Sequence, residues 1–275
     1  MIVRGDAFHI PLPAASVDLV VTSPPYSNAR PEYSSWQGGH DAYLIDMALA
    51  YKECFRVMRD GARIGVNIVH GYGRPGNDDH GYFPLGHKTT DALEAAGFVL
   101  RGVIIWNKTS HVLATSQTAW GSWRSATNPS LRDQHELIVV GHKGSAHRSG
   151  EGRRSTIDSD TFIKATSSIW VIPPAAAPWK WHPAPFPEEI PRRLIELYTF
   201  EGDTVLDPFS GSGTTQRVAV QLGRVGIGLE IKADYARKSA AHLPQKRFEF
   251  PEAPTEPPGE PQEAVAWQTP LTDAE

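Results

Sequence analysis

The chain carries a single cysteine, Cys54, in 275 residues, so no disulfide framework can hold it together and a hydrophobic core must. With 40% hydrophobic residues it has enough apolar surface for one full-sized domain. No apolar run approaches the ~20 residues of a membrane span. Charges at Arg4 and Asp6 break any signal-peptide pattern at the start, so a cytoplasmic protein away from membranes is expected. The eleven histidines form no His-x-x-x-His pair and there is no Cys-x-x-Cys, which argues against zinc chemistry, and no metal site is expected. The Gly-x-Ser-x-Gly elbow of hydrolases and the Gly-Lys-Ser/Thr ending of phosphate-binding loops are also missing.

An excess of positive charge is lacking too, since the formal net charge is −4. Its distribution qualifies that figure. Glu249, Glu252, Glu256, Glu260, Glu263, Asp273 and Glu275 lie in a stretch without lysine or arginine, and without them the rest of the chain carries +3. Six prolines from Pro251 to Pro270 accompany these acids, so residues 249–275 read as a disordered tail behind a domain of residues 1–248.

Two strings stand out in what is present. Thr22-Ser23-Pro24-Pro25-Tyr26 follows Val17-Asp18-Leu19-Val20-Val21, an apolar run that reads as a buried parallel strand. The string therefore sits at a strand's C-terminal edge, where open α/β sheets bind ligands. Two prolines lock φ and restrict Ser23 before them, fixing the directions of the carbonyls in the turn. Such a turn suits a conjugated exocyclic amine, a poor nucleophile until its N–H groups are hydrogen-bonded. The Ser23 hydroxyl and the Pro24 carbonyl can accept them, and the Tyr26 ring can stack on a base that has left its helix. Read alone, the same string is also a plain strand terminator.

The second string, Asp207-Pro208-Phe209-Ser210-Gly211-Ser212-Gly213-Thr214-Thr215, follows Thr204-Val205-Leu206 and opens a helix over 214–223. Its glycines permit a tight strand-to-helix turn and close approach of a ligand to the helix N-terminus. The next strand, Val225 to Leu229, ends in Glu230, near the spacing at which a carboxylate meets ribose hydroxyls in nucleotide-binding folds. The third glycine of the dinucleotide fingerprint is absent.

Together the strings resemble the β-class S-adenosylmethionine-dependent DNA amino-methyltransferases, in which a Ser/Asp/Asn-Pro-Pro-Tyr motif precedes an Asp-Pro-Phe-x-Gly-x-Gly-Thr motif. The likeness extends to Gly5-Asp6, to 118–123, to the segment from His182 to Pro187, and to 203–243. It implies a mostly parallel Rossmann-like α/β sheet with one antiparallel strand near an edge and a circularly permuted motif order. It also implies Ser23, Pro24, Pro25 and Tyr26 as the catalytic turn. The implied cofactor residues are Asp207, Phe209, Ser210, Gly211, Gly213, Thr214, Thr215 and Glu230, with Asp6 near the adenine and His182, Pro183 and Phe186 at the methionine end. Double-stranded DNA is the implied partner; a cognate restriction endonuclease, and monomer or homodimer, stay open. A serine heading the motif is typical of the branch that methylates cytosine N4, with adenine N6 as the alternative and a noncatalytic DNA-binding relative as the more distant one. Carbon-5 methylation would need a cysteine nucleophile, and Cys54 reads as a helix-core residue.

Between the strings, strands and helices alternate. Helices are expected near 43–59, 87–96 and 188–198, and strands over 63–69, 99–106 and 136–140. Two segments depart from the alternation. Residues 27–40 read equally as a mobile lid and as a plain surface loop. Residues 108–168 read as a target-recognition insertion in which Arg124, Lys143, Arg148, Arg153 and Arg154 meet DNA.

Overall fold

A computed structural model describes residues 1–26, 39–71, 82–108, 134–150, 152–175 and 187–243. The segment 27–38, the tail, Trp120, Trp123, Arg124, His182, Pro183 and Phe186 lie outside the described residues.

In chain order the elements are β1 (Ile2–Arg4), β2 (Val17–Thr22), α1 (Gly39–Val57), β3 (Met58–Val69), α2 (Leu85–Ala95), β4 (Val99–Asn107) and β5 (His135–His142). They continue with α3 (Ser159–Ala165), β6 (Ile169–Val171), α4 (Glu189–Tyr198), β7 (Thr204–Asp207), α5 (Thr214–Gln221), β8 (Val225–Glu230) and α6 (Ala233–Ala241). The strands form one eight-stranded sheet in the order β1-β8-β7-β2-β3-β5-β4-β6. All neighbours are parallel except β5, which runs against both β3 and β4. The expected sheet with one reversed strand is thus the observed one.

Period-two alternation sorts side chains between two cores. Val20, Ile64, Val66, Ile68, Leu137 and Val139 face α1 and α2, while Leu19, Val21, Ile104, Trp106, Ile138 and Val140 face α4 and α5. Strand β2 is buried along its whole length, which is why its centre, Leu19-Val20-Val21, reads as an apolar run. Helix α1 buries Tyr43, Met47, Ala50, Tyr51, Cys54 and Val57, a stripe at helical spacing. Cys54 is fully buried in it, and burial pushes its thiol well above the usual range, as suits a core residue.

Three elements differ from expectation. Strand β3 begins at Met58, directly after α1, because residues 58–62 join the sheet where the β2 register shifts between Val17 and Leu19. Helix α3 falls inside the segment 108–168 expected to be a target-recognition insertion, and strand β6 follows directly after it. Asp158 caps α3 by accepting from Thr161 N at 2.8 Å, and the fully buried Trp170 roots β6 in the α4 core. A three-residue strand is too short to show a period.

The basic residues of that segment form a cluster of ion pairs. Arg148 bridges Asp18 Oδ1 at 2.6 Å and Asp203 Oδ2 at 3.0 Å; Arg153 pairs with Asp203 and Arg59 with Asp18. Lys143 Nζ donates to the carbonyls of Phe55 and Met58 at 2.7 and 2.9 Å, satisfying the end of α1, and Arg154 pairs with Glu201 on the surface. Asp18 opens β2 and Asp203 precedes β7, so this cluster sits at the N-terminal edge of the parallel strands, opposite the Ser23 turn. Lys143, Arg148 and Arg153 thus carry a structural task at this edge, their donors meeting carboxylates and carbonyls, whereas Arg154 is 77% exposed and makes a single surface pair.

The Arg148 side chain is 9% exposed and that of Asp203 is fully buried, so removing the guanidinium leaves two buried carboxylates with only the more exposed Arg153 and Arg59 to offset them. Arg148→Ala is expected to lower unfolding free energy by about 3 kcal/mol. Urea denaturation measures this, and a change below about 1 kcal/mol, the scale of an exposed pair, would show that the cluster is energetically incidental.

Candidate functional site

The site forms where β1, β2, β7 and β8 end. Thr22 closes β2 fully buried, and its Oγ1 donates to Asp207 Oδ1 at 2.7 Å across 185 positions of sequence. Thr215 Oγ1, in the first turn of α5, donates to Asp207 Oδ2 at 3.0 Å, and Phe209 N donates to Oδ1 at 3.0 Å. One carboxylate at the end of β7 therefore ties the residue before Ser23 to the glycine turn and to the helix behind it. Burial pushes the Asp207 carboxyl up to about 6, against the three donors, which pull it down.

The glycine turn is shaped by close approach. Gly213, the N-cap of α5, has φ +77°, and a Cβ there would come within 2.6 Å of Ile2 Cδ1. At Gly226 in β8 a Cβ would meet the Gln216 backbone at 2.7 Å, so α5 can lie against β8 only over glycine. The buried Ser210 Oγ has no hydrogen-bond partner. Glu230, ending β8, accepts from Gly211 N at 3.1 Å and from Lys232 N at 2.9 Å, and burial raises its carboxyl above the ordinary value. Gly5 N donates to Glu230 O at 3.2 Å, which sets the β1 end beside the β8 end; Asp6 follows, its Oδ1 accepting from Phe8 N at 2.9 Å. The predicted residues Asp6, Asp207, Phe209, Ser210, Gly211, Gly213, Thr214, Thr215 and Glu230 are thus gathered at neighbouring strand ends.

The Ser23 turn meets a second group that sequence reasoning missed. Glu136 is the second residue of β5, and because β5 is reversed its beginning lies at the same edge as the ends of β2 and β3. Glu136 Oε2 accepts from Asn67 Nδ2 at 2.7 Å and from Tyr26 OH at 3.3 Å, and Oε1 pairs with the Lys108 ammonium. Asn67 Nδ2 also lies 3.5 Å from Ser23 Oγ. Burial, with the Glu136 charge next, holds the Tyr26 phenol well above its ordinary range, so it stays a protonated donor. A lone asparagine inside an apolar strand and an acid heading another were the available signals.

Among the described residues no group of three His, Cys, Asp or Glu could hold a metal ion, and no helix is long and apolar enough to cross a membrane.

The N6/N4 methyltransferase family model, described as DNA methylase, matches residues 17–241. The Type II beta methyltransferase M.BslI of Bacillus sp. (strain NEB-606) is 30% identical over 86% of this chain and 27% of its own. The Type II methyltransferase M.MjaI of Methanocaldococcus jannaschii is 33% identical over 66% of this chain and 61% of its own. The chain thus spans between a quarter and two thirds of these relatives' lengths. The crystal structure of TTHA0409 from Thermus thermophilus, complexed with S-adenosyl-L-methionine, is similar with a TM-score of 0.68 and 29% identity over 86% of this chain and 92% of that one.

The Asp207 carboxyl supplies a test of the geometry. It holds its proton more tightly folded than unfolded, so its contribution to stability is present in acid and is lost as pH rises from 3.8 through about 6. Carbon-detected NMR of the Asp207 carboxyl should give a midpoint near 6, and Asp207→Asn should remove that part of the pH dependence of unfolding. A midpoint below 3.8 would mean that the three donors outweigh burial.

Proposed function

The chain belongs to the DNA methylase family, and we propose that it transfers a methyl group from S-adenosylmethionine to the exocyclic N4 amine of a cytosine flipped out of double-stranded DNA. The observation that carries this reading is the Asp207 carboxylate joining the Ser23 turn to the glycine turn. An acceptor site for an amine and a cradle for a nucleoside are thereby held as one unit.

The residues present fit the cofactor. Gly211 and Gly213, both at positive φ, make the tight turn into the N-terminus of α5, the buried Ser210 Oγ has hydrogen-bonding capacity to spare, and the half-satisfied Glu230 carboxylate can accept ribose hydroxyls. Asp6 would lie toward the adenine, with His182, Pro183 and Phe186 toward the methionine end. S-adenosylmethionine supplies an electrophilic methyl group on a sulfonium. Everything else falls to the chain. The Pro24 carbonyl and Ser23 Oγ accept the two amine hydrogens, so charge developing on nitrogen during in-line attack meets acceptors already in place. The methyl group would pass from sulfur to nitrogen, leaving a neutral thioether, and the surplus proton on nitrogen would leave to solvent water past the Ser23 and Pro24 acceptors that hold it. The Tyr26 ring stacks on the extruded base. A serine at the head of the turn supports cytosine. The two acceptors themselves suit either conjugated amine, so adenine N6 is the second reading. Of the five basic residues, Arg124 and the exposed Arg154 keep the proposed DNA contact, while Lys143, Arg148 and Arg153 already hold carbonyls and carboxylates.

Removing one preorganised acceptor typically costs about a hundredfold or more in rate. Ser23→Ala should therefore slow labelled methyl transfer to DNA by that order, with calorimetric S-adenosylmethionine affinity unchanged. Glu230→Ala should do the reverse at first, weakening cofactor affinity roughly ten- to a hundredfold. Wild-type turnover in the Ser23 variant would contradict the assigned acceptor.

A further inference from the structure

Ser23 and Tyr26, the two ends of the catalytic turn, are both reached from one carboxylate that lies 110 positions beyond Tyr26. Glu136 is 7% exposed and Asn67 is 3% exposed, so neither side chain has solvent to turn to. A carboxylate can only accept. Asn67 must therefore direct its NH2 group at Glu136, and the second hydrogen of that nitrogen is left on the side of Ser23 Oγ. The cost of this orientation is visible, because Asn67 Oδ1 remains buried without a hydrogen-bond partner. Turning the amide over would place its oxygen against the Glu136 carboxylate, which is worse than leaving it unpaired.

The consequence falls on Ser23. A hydrogen received from Asn67 occupies one lone pair of Oγ, turns the hydroxyl hydrogen away from Asn67, and leaves the other lone pair free to accept. The same Glu136 oxygen takes the Tyr26 hydroxyl and so fixes the ring that would stack on the base. Lys108 supplies the opposing charge on the far oxygen.

We infer that Glu136 is a positioning residue for the transfer reaction, acting on Ser23 through Asn67 and on Tyr26 directly, so that the turn presents an acceptor and a stacking surface in fixed relation. This rests on the reading of Ser23 as an amine acceptor. It also gives the reversed strand a purpose, since only a strand running against its neighbours brings its first residues to this edge.

Single-turnover transfer of labelled methyl to unmethylated DNA tests it. Misplacing a reacting group by about an ångström costs on the order of a hundredfold, and Glu136→Leu is expected to slow transfer by that order while S-adenosylmethionine affinity stays within about threefold, as for a loss of orientation and not of binding. Glu136→Gln can still offer an amide oxygen to Asn67 and Tyr26, so it should recover most of the lost rate. Asn67→Leu should slow transfer similarly, and the double variant should be no slower than either single one, because both changes break one chain of contacts. A wild-type rate in Glu136→Leu, no recovery in Glu136→Gln, or multiplying losses in the double variant would each overturn the inference. A wild type that transfers no label overturns the methylation reading itself. If Glu136→Leu fails to fold, NMR of the wild type decides: the Asn67 side-chain amide protons should exchange slowly with solvent, and rapid exchange would remove the contact on which everything here depends.

Discussion

The Asp207 carboxylate is the constraint on which the site depends. It sits at the end of β7 among residues that exclude water, and it accepts from Thr22, from Thr215 and from the backbone of Phe209. A buried carboxyl is tolerated only when its lone pairs are filled, so these donors cannot move independently of one another. The adjacency of β2 and β7 in the sheet makes this possible: Leu19 pairs with Val205 and Val20 with Leu206, which brings both strand ends to one level. The proposed methyl transfer demands that amine and methyl group meet in line, and a shared anchor for the two cradles suits that demand.

The opposite edge of the sheet mirrors this arrangement with charge in place of neutral donors. Asp18 and Asp203, at the starts of the same two strands, are bound by Arg59, Arg148 and Arg153, and Asp18 also accepts from Thr204 N at 2.9 Å. Strands β2 and β7 are thus tied at both ends. One end is spent on stability, and the other holds the groups proposed to do chemistry.

Much of this was legible in the sequence. Apolar runs of buried strands, the Pro-Pro turn, the paired glycines and the terminal acid of β8 are local signals, and each element they mark appears within a few residues of its expected place. Arg148 misled because a cation in a glycine- and serine-rich setting looks the same whether it faces phosphate or a carboxylate 130 positions away. Asn67 and Glu136 escaped notice for a related reason. Their meaning depends on the direction of β5, and strand direction leaves no periodic trace. Strand β6 was missed because Trp170 alone anchors it, and a single aromatic residue carries no pattern.

The most direct test of the account is mass spectrometry of nucleosides from unmethylated duplex DNA incubated with the protein and isotope-labelled S-adenosylmethionine. The account predicts labelled N4-methylcytosine. Label in N6-methyladenine would keep the mechanism and overturn the choice of base, whereas DNA without label in either nucleoside would contradict the account.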